Sequence, residues 1–281
     1  MNNGLAGMVI LYNPSDIVAE NIYSYLKHLD IIYLVDNSEK IWRAPQLKMI
    51  LDLDKVVYIK HPSNLGISYS INEVLSYVCD TYDWLLTMDQ DTKFVENGFV
   101  DYYKAWNKVK DQCEDLCVIC PYIKNKNASA GKVEWLSVHR AITTGMILNV
   151  KQTKRIGGMD ENLFIDEVDY EFCYRVRKYK LRIIQYQKDL LQHHIGYPEK
   201  VSLGNKILFI RVEKPFRYYY IIRNLLYEAR KYPELFFINI VRICSLIVKS
   251  ILFHKERLNV AKYIVRAFYD FRLNRYGKYK E

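Results

Sequence analysis

The sequence predicts an α/β fold built on a mostly parallel sheet, and two observations carry that expectation. Short β-rich runs alternate with helical stretches across residues 1–90, the pattern that crossover helices between parallel strands produce. Each run also ends in polar residues, and in an open α/β sheet the carboxyl ends of the strands form the ligand crevice. At 281 residues, half of them hydrophobic and a quarter charged, the chain is long enough to bury a sizeable core and too apolar to be disordered or collagen-like.

Taken in order, the β-rich runs are MVILY (8–12), IIYLVDN (31–37), VVYIKH (56–61) and WLLTMDQD (84–91). Their polar ends are Tyr12 and Asn13, Asp36 and Asn37, Asn64 just beyond His61, and Asp89 with Asp91. Four polar clusters at successive strand ends point to one site. Ile67 to Cys79 reads as an amphipathic helix, residues 121–135 as an exposed loop, Ile142 to Val150 as a further apolar strand, and Asp166 to Tyr179 as a charged, aromatic helix. From about residue 215 the chain is helical in character, with apolar positions between arginines and lysines. These readings divide the chain into a catalytic domain over residues 1–210 and a basic, aromatic helical extension over residues 211–281.

Charge divides the chain at the same place. Of the 41 Lys+Arg and 32 Asp+Glu, residues 211–281 hold 16 and 6, a net of +10, and residues 1–210 are close to neutral. Such an extension suits nucleic acid, anionic lipid or a polyphosphate. Nucleic acid is not the expected partner, because it leaves the acidic motifs described below without a role. The apolar stretch Leu235 to Phe253 is nearly long enough to span a bilayer, but Arg242 and Lys249 inside it are costly at a bilayer centre. A helix lying in the membrane plane, or one packed on the catalytic domain, fits better. The start MNNGLAGMVILYNP has neither a basic n-region nor a long apolar h-region, and the six cysteines are scattered, so a reduced, cytoplasmic setting is expected. Cys113, Cys117 and Cys120 lack a fourth zinc ligand at finger-like spacing and read as small apolar residues.

What chemistry the crevice performs is limited first by what is missing. No GxGxxG follows the first strand and no GxxxxGK[ST] occurs anywhere, so dinucleotide oxidoreductase and P-loop readings lose their support. A nucleotide held by acidic and amide side chains together with a metal remains. Asp89-Gln90-Asp91 follows the apolar run WLLTM, and carboxylates two residues apart project on the same side of a strand. Two hard oxygen donors there suit Mg²⁺ or Mn²⁺ bridging to a diphosphate. A second acidic cluster, Asp166, Glu167, Asp169 and Glu171, sits among large apolar side chains, where mutual repulsion and lost hydration raise carboxylate pKa and suit a general base. His193, after the apolar run ending at Leu191, can complete a cation's coordination. Arg217 and Arg223, in FRYYYIIRN, suit phosphate and sugar-face contacts.

The order of these pieces resembles the family 2, GT-A-fold inverting glycosyltransferases, and within them the rhamnosyltransferase-like group. The matching segments are VILYNP, LVDNS, NLGIS with Asn72, LLTMDQDT, the TTG at 143–145, GGMDENLFIDEVDYEFCYR, QHHIG and FRYYYIIRN, covering about residues 8–224. The resemblance implies a nucleotide pocket near Tyr12, Asn13, Asp36, Asn64 and Gly66, with Arg217 on its phosphates. It makes Asp91 the metal-binding carboxylate, Asp89 a ribose or metal contact, and His193 the family's late histidine, which can be a metal ligand. Asp169 takes the place of the family's catalytic aspartate. Val168 stands where the wider family has a glutamate, which leaves Asp166 or Glu171 to share or take over the base role. The expected reaction is metal-dependent, inverting transfer of a sugar from a dTDP- or UDP-sugar, with dTDP-L-rhamnose the first choice, to a hydroxyl of a growing, lipid-linked glycan. The expected place is the cytoplasmic face of the cell membrane.

Overall fold

The computed structural model describes residues 2–39, 45–123, 133–193, 199–203, 206–210 and 212–280. They form two compact units, one of residues 1–160 with 169–194 and one of residues 161–168 with 195–281.

In the first unit the chain runs β1 (Asn2–Leu11), α1 (Val18–Leu26), β2 (Ile31–Asp36), α2 (Pro45–Leu51), β3 (Val56–Lys60), α3 (Ile67–Val78) and β4 (Tyr82–Asp89). It continues through β5 (Thr92–Phe94), α4 (Gly98–Val109), β6 (Leu116–Tyr122), β7 (Trp135–Ser137), β8 (Met146–Asn149), α5 (Val150–Arg155), α6 (Val168–Lys178), β9 (Arg182–Asp189) and β10 (Leu191–His193). One eight-stranded sheet has the order β3-β2-β1-β4-β8-β6-β9-β7, with β8 and β7 antiparallel to the rest. The mostly parallel sheet expected from the alternating runs is present, and the first four strands and the helix from Ile67 lie where the sequence placed them, except that β1 starts well before MVILY, at Asn2.

Alternation along the strands divides the core between the two faces. Leu5, Val9 and Leu11 of β1 and Trp84, Leu86 and Met88 of β4 pack with α1 and α4, where Tyr25, Phe99, Tyr102 and Trp106 fill one aromatic cluster. On the other face α3 and α5 pack together and against β1, β4 and β6. The strand expected from Ile142 is shorter, because the chain turns at Gly145 (φ 75°) and enters helix α5 at Val150, capped by Asn149 Oδ1 accepting from Gln152 N–H at 2.9 Å. Most of the expected loop at 121–135 lies outside the described residues. Its ends do not: β6 runs to Tyr122 and β7 starts at Trp135.

Helix α6 starts later than the acidic pattern suggested. Asp166 and Glu167 both have left-handed backbones (φ 62° and 61°), so the helix opens at Val168. Asp166 and Asp169 are therefore not one turn apart on a helix face. Inside the first unit α6 is fastened by Arg175, which is buried. Its guanidinium pairs with Glu171 one turn back (Nε–Oε1 2.9 Å, Nη2–Oε2 2.9 Å) and donates to the carbonyls of Ile156 (2.6 Å) and Gly158 (2.7 Å). Those carbonyls belong to the 156–159 turn, which Asn72 of α3 holds from the other side. Asn72 Oδ1 accepts from Met159 N–H (2.7 Å) and Nδ2 donates to Met159 O (2.9 Å). Gly158, at φ 66°, is required there because a Cβ would meet Asn72 Oδ1 at 2.5 Å.

The second unit carries the hairpin β11 (Glu199–Leu203) and β12 (Lys206–Ile210), then α7 (Pro215–Lys231), a 3-10 turn, α8 (Phe236–Phe253) and α9 (Arg257–Arg272). Helix α7 is the hub, packed by both α8 and α9, and its Tyr219, Ile222 and Leu225 form a core with Ile243 and Ala267. The segment 161–168 joins this core through Phe164, stacked on Tyr220 at 5.4 Å. Asn224 Nδ2 donates to the carbonyls of Ile165 (2.8 Å) and Asp166 (2.9 Å), fixing the left-handed pair in place.

Removing one member of a buried ion pair leaves the other uncompensated, so Arg175→Met is expected to lower unfolding free energy by about 3–5 kcal/mol. Urea titration will measure this, and Arg175→Met with Glu171→Met is expected to recover part of the loss.

Candidate functional site

The strand ends fall into line because the register demands it. Leu11 lies beside Asp36, Ile10 beside Asp89 and Asp36 beside Lys60, so β1, β2, β3 and β4 finish at one edge of the sheet. The chain steps outward from β1 to β2 to β3 and then returns to β4 on the other side of β1. Such a reversal opens a crevice, and here the opening is between Tyr12 and the acidic turn after β4.

Gln90 ties the two sides of that opening together. Its Oε1 accepts from Tyr12 N–H (2.8 Å), its Nε2 donates to Tyr12 O (3.1 Å), and its own carbonyl accepts from Asn21 Nδ2 (2.8 Å). With the middle residue held by its amide, Asp89 and Asp91 flank the crevice. Asp89 is partly buried, with its N–H donated to Thr144 Oγ1 at 3.3 Å, and Asp91 is exposed. Burial first, and then the charge of Asp91, push the Asp89 carboxyl up to about 7. A pair of hard oxygen donors in that condition fits a divalent cation, which would offset both effects. Among the described residues no group of three or more His, Cys, Asp and Glu side chains is gathered for a metal. The backbone of His193 pairs with Thr92, next to Asp91, while its side chain lies outside the described residues.

On the β2 side the expected residues are present, but several are used internally. Tyr12 is exposed and Asn13, at φ 45°, donates its N–H to Ser38 Oγ (2.7 Å). Asp36 is buried, with Oδ1 accepting from Ser38 N–H (2.8 Å) and Oδ2 from Tyr58 O–H (2.5 Å), so it shapes the 36–38 turn from beneath. Asn64 Oδ1 accepts from Gly66 N–H (2.9 Å), and Gly66, at φ 92°, leads into α3 with a backbone that side-chain-bearing residues rarely adopt. Sequence reasoning missed the relay behind them. His61 bridges Asn37 Oδ1 and Glu73 Oε2 at 2.8 Å each, and Asn37 also donates to Ser70 Oγ (3.0 Å). The signal for it was faint: a lone histidine at a strand end and a glutamate two turns into the next helix.

The second acidic cluster is resolved into separate roles. Asp169 and Glu171 belong to the first unit, Asp166 and Glu167 to the second. Mutual repulsion does not govern them, because arginines take up three of the four: Arg217 pairs with Asp166, Arg242 with Glu167 (2.7 Å) and Arg175 with Glu171. Glu171 is almost fully buried in that pair. Arg217, expected on phosphate, is also held by Glu213 at 2.5 Å. Asp169 stands in the first turn of α6, partly buried, with Oδ1 accepting from Tyr170 N–H (3.0 Å).

Residues 8–177 match the model of Glycosyl transferase family 2, more than half of the chain. The chain belongs to that family. The family 2 match takes in the strands from β1, the acidic turn at 89–91 and Asp169, and ends before His193 and Arg217. Along most of its length the chain is similar to the dTDP-rhamnosyl transferase RfbF of Shigella flexneri, with 24% identity over 253 residues, 82% of this chain and 81% of that protein. Among solved structures it is similar to GalNAc-T7 with UDP, GalNAc and Mn²⁺ (TM-score 0.58, 12% identity, 68% of this chain and 44% of that one). It is also similar to S. aureus TarS (TM-score 0.52, 14% identity, 97% and 43%). The chain spans less than half of either solved protein, and those likenesses concern the fold, which is GT-A. The enzyme is thus a family 2 glycosyltransferase.

Because the folded-state pKa of Asp89 is raised above that of an unfolded aspartate, near 3.9, its charged form opposes folding. The penalty grows from about pH 4 to about pH 7 and is constant above. In chelator-treated protein, Asp89→Asn is expected to raise stability by about 1–3 kcal/mol at pH 8 and by almost nothing at pH 4. Thermal melts at the two pH values will show the difference.

Proposed function

We propose that this glycosyltransferase moves L-rhamnose from dTDP-L-rhamnose to a hydroxyl of a growing cell-surface glycan, free or lipid-linked, with inversion at the anomeric carbon. The observation that carries the chemistry is the Asp89-Gln90-Asp91 turn, clamped by Gln90 across the point where the sheet reverses its strand order. The donor assignment rests on the similarity to the dTDP-rhamnosyl transferase, which runs through more than four-fifths of both chains.

In this reading Asp89 and Asp91 hold Mg²⁺ or Mn²⁺, with His193, whose backbone lies opposite Thr92, as a third ligand. The elevated Asp89 carboxyl supports a cation there, as does the Mn²⁺ carried by the structure of GalNAc-T7. When bound, the ion neutralises charge on the departing diphosphate. The nucleotide is met by Tyr12 and Asn13 on one side and by the Asn64–Gly66 turn on the other, with Asp36 and the His61 relay keeping the 36–38 turn in shape. Asp169 accepts the proton of the acceptor hydroxyl as the new bond forms, and Arg175 fixes the helix from which it acts. Glu171 and Asp166 are held by arginines and serve the architecture.

Incubating the enzyme and Mn²⁺ with dTDP-L-rhamnose, UDP-galactose, UDP-glucose and UDP-galactofuranose, and following release of nucleoside diphosphate, tests the donor. Fastest turnover of dTDP-L-rhamnose is expected, and faster turnover of a UDP-sugar would replace rhamnose with that sugar. Asp91→Asn and EDTA are each expected to abolish transfer in folded protein, so full activity in EDTA overturns the metal. Asp169→Asn is expected to keep nucleotide affinity by calorimetry and to lose roughly 10²-fold or more in transfer. Near-normal transfer by Asp169→Asn with an inactive Asp166→Asn would move the base to Asp166.

A further inference from the structure

Helix α8 is built from two incompatible faces, and among the described residues only one of them has a protein partner. Residues 235–255 contain no acidic side chain, and the helix is long and apolar enough to cross a membrane, yet little of it is buried. On the inner face Ile243 enters the core around α7, and Asn239 donates to Leu225 O and Glu228 Oε2 at 3.1 Å each. Arg242 turns to Glu167. On the outer face Phe237 (82% exposed), Val241 (67%), Val248 (53%) and Ile251 (58%) recur at helical spacing. A row of exposed large apolar groups of this length on a folded protein marks an interaction surface.

The charges around the row indicate the partner. Lys249 is exposed on the helix itself, Arg230 and Lys231 precede it, and Lys255, Arg257 and Lys262 follow it, all exposed and outnumbering the exposed acids Glu234 and Glu256 at its two ends. A second copy of the chain would set these cations against each other. An anionic lipid surface accepts both features, apolar side chains below the headgroups and cations among them. Spanning is excluded by the inner face: inserting α8 across a bilayer would surrender the bonds of Asn239 and the Arg242–Glu167 pair to hydrocarbon.

We propose that α8 lies in the plane of an anionic membrane, with Phe237, Val241, Val248 and Ile251 inserted and the flanking lysines and arginines on lipid phosphates, which holds the protein as a peripheral enzyme of the inner membrane face. This goes beyond the sugar-transfer reading, and its test does not depend on transfer.

Flotation of the full chain with vesicles of phosphatidylcholine, alone or mixed with phosphatidylglycerol, will decide it. Binding to the mixed vesicles is expected to exceed binding to phosphatidylcholine roughly tenfold at low salt and to fall as salt rises. Val241→Asp with Val248→Asp, both at exposed positions, is expected to keep the circular dichroism melt and lose at least tenfold in binding. Alkaline carbonate is expected to release the bound protein. Absence of binding to mixed vesicles at low salt overturns the proposal, as does undiminished binding of the double variant. Resistance to carbonate would make α8 a span. A lipid-free dimer separated by the double variant would give the face to a second copy.

Discussion

The site depends on one topological constraint: β1 has β2 on one side and β4 on the other, so the loops leaving β1 and β4 must part company at the sheet edge. Parting leaves the N–H and C=O of Tyr12 without a strand partner. A glutamine side chain supplies the substitute. Gln90 presents an acceptor and a donor to the N–H and C=O of Tyr12, imitating one more pair of ladder bonds. The residues on either side of this clamp, Asp89 and Asp91, are the two carboxylates of the turn.

Electrostatics then separates two kinds of acid. Burial and the neighbouring charge of Asp91 raise the cost of ionising Asp89, and that is a cation's opportunity. In the cluster at 166–171 the same problem is solved inside the protein, because Arg217, Arg242 and Arg175 each take one carboxylate. Arg175 does more than neutralise. By bonding Glu171 and two carbonyls of the glycine turn it fixes the first turn of α6, where Asp169 is found, against α3 through Asn72. A lysine at 175 could pair with Glu171 but could not reach three separated acceptors with a planar fork.

How much of this was legible in the sequence follows from the range of each interaction. Strands β1 to β4 were legible because a buried parallel strand needs a run of apolar residues, and MVILY, IIYLVD and WLLTM are such runs. The acidic turn at 89–91 was legible as a local pattern after one of them. The start of α6 was not, since nothing in DEVDYE by itself forbids a helix. The left-handed pair at Asp166 and Glu167 is imposed from far along the chain by Asn224, Arg217 and Arg242. The same holds for His61, whose partners come from the turn after β2 and from α3, and for Asp36, whose nearness to a strand end suggested ligand contact while its bonds to Ser38 and Tyr58 turn it inward.

The basic, tyrosine-rich composition of the last quarter has two physical origins, and separating them changes what its charge means. Part of it is core. Arg223 is fully buried in α7, with Nη1 donating to Tyr219 Oη (3.1 Å) and Gly277 O (2.8 Å), and its guanidinium lies over the rings of Tyr219 and Tyr220 at 5.0 and 5.3 Å. Tyr219 in turn donates to the buried Asp270, which also receives Arg266. Tyrosine suits this interior because each ring supplies apolar bulk and a π-face for a guanidinium, and its hydroxyl satisfies a buried polar atom. Arg217 and Arg242 are offset by Asp166 and Glu167, which lie outside the residues 211–281 that carry the net of +10. The field outside the second unit is therefore weaker than a net of +10 implies and falls mainly to exposed positions such as Lys249, Lys255 and Lys262. The proposed membrane contact therefore rests on the apolar row of α8 as well as on charge.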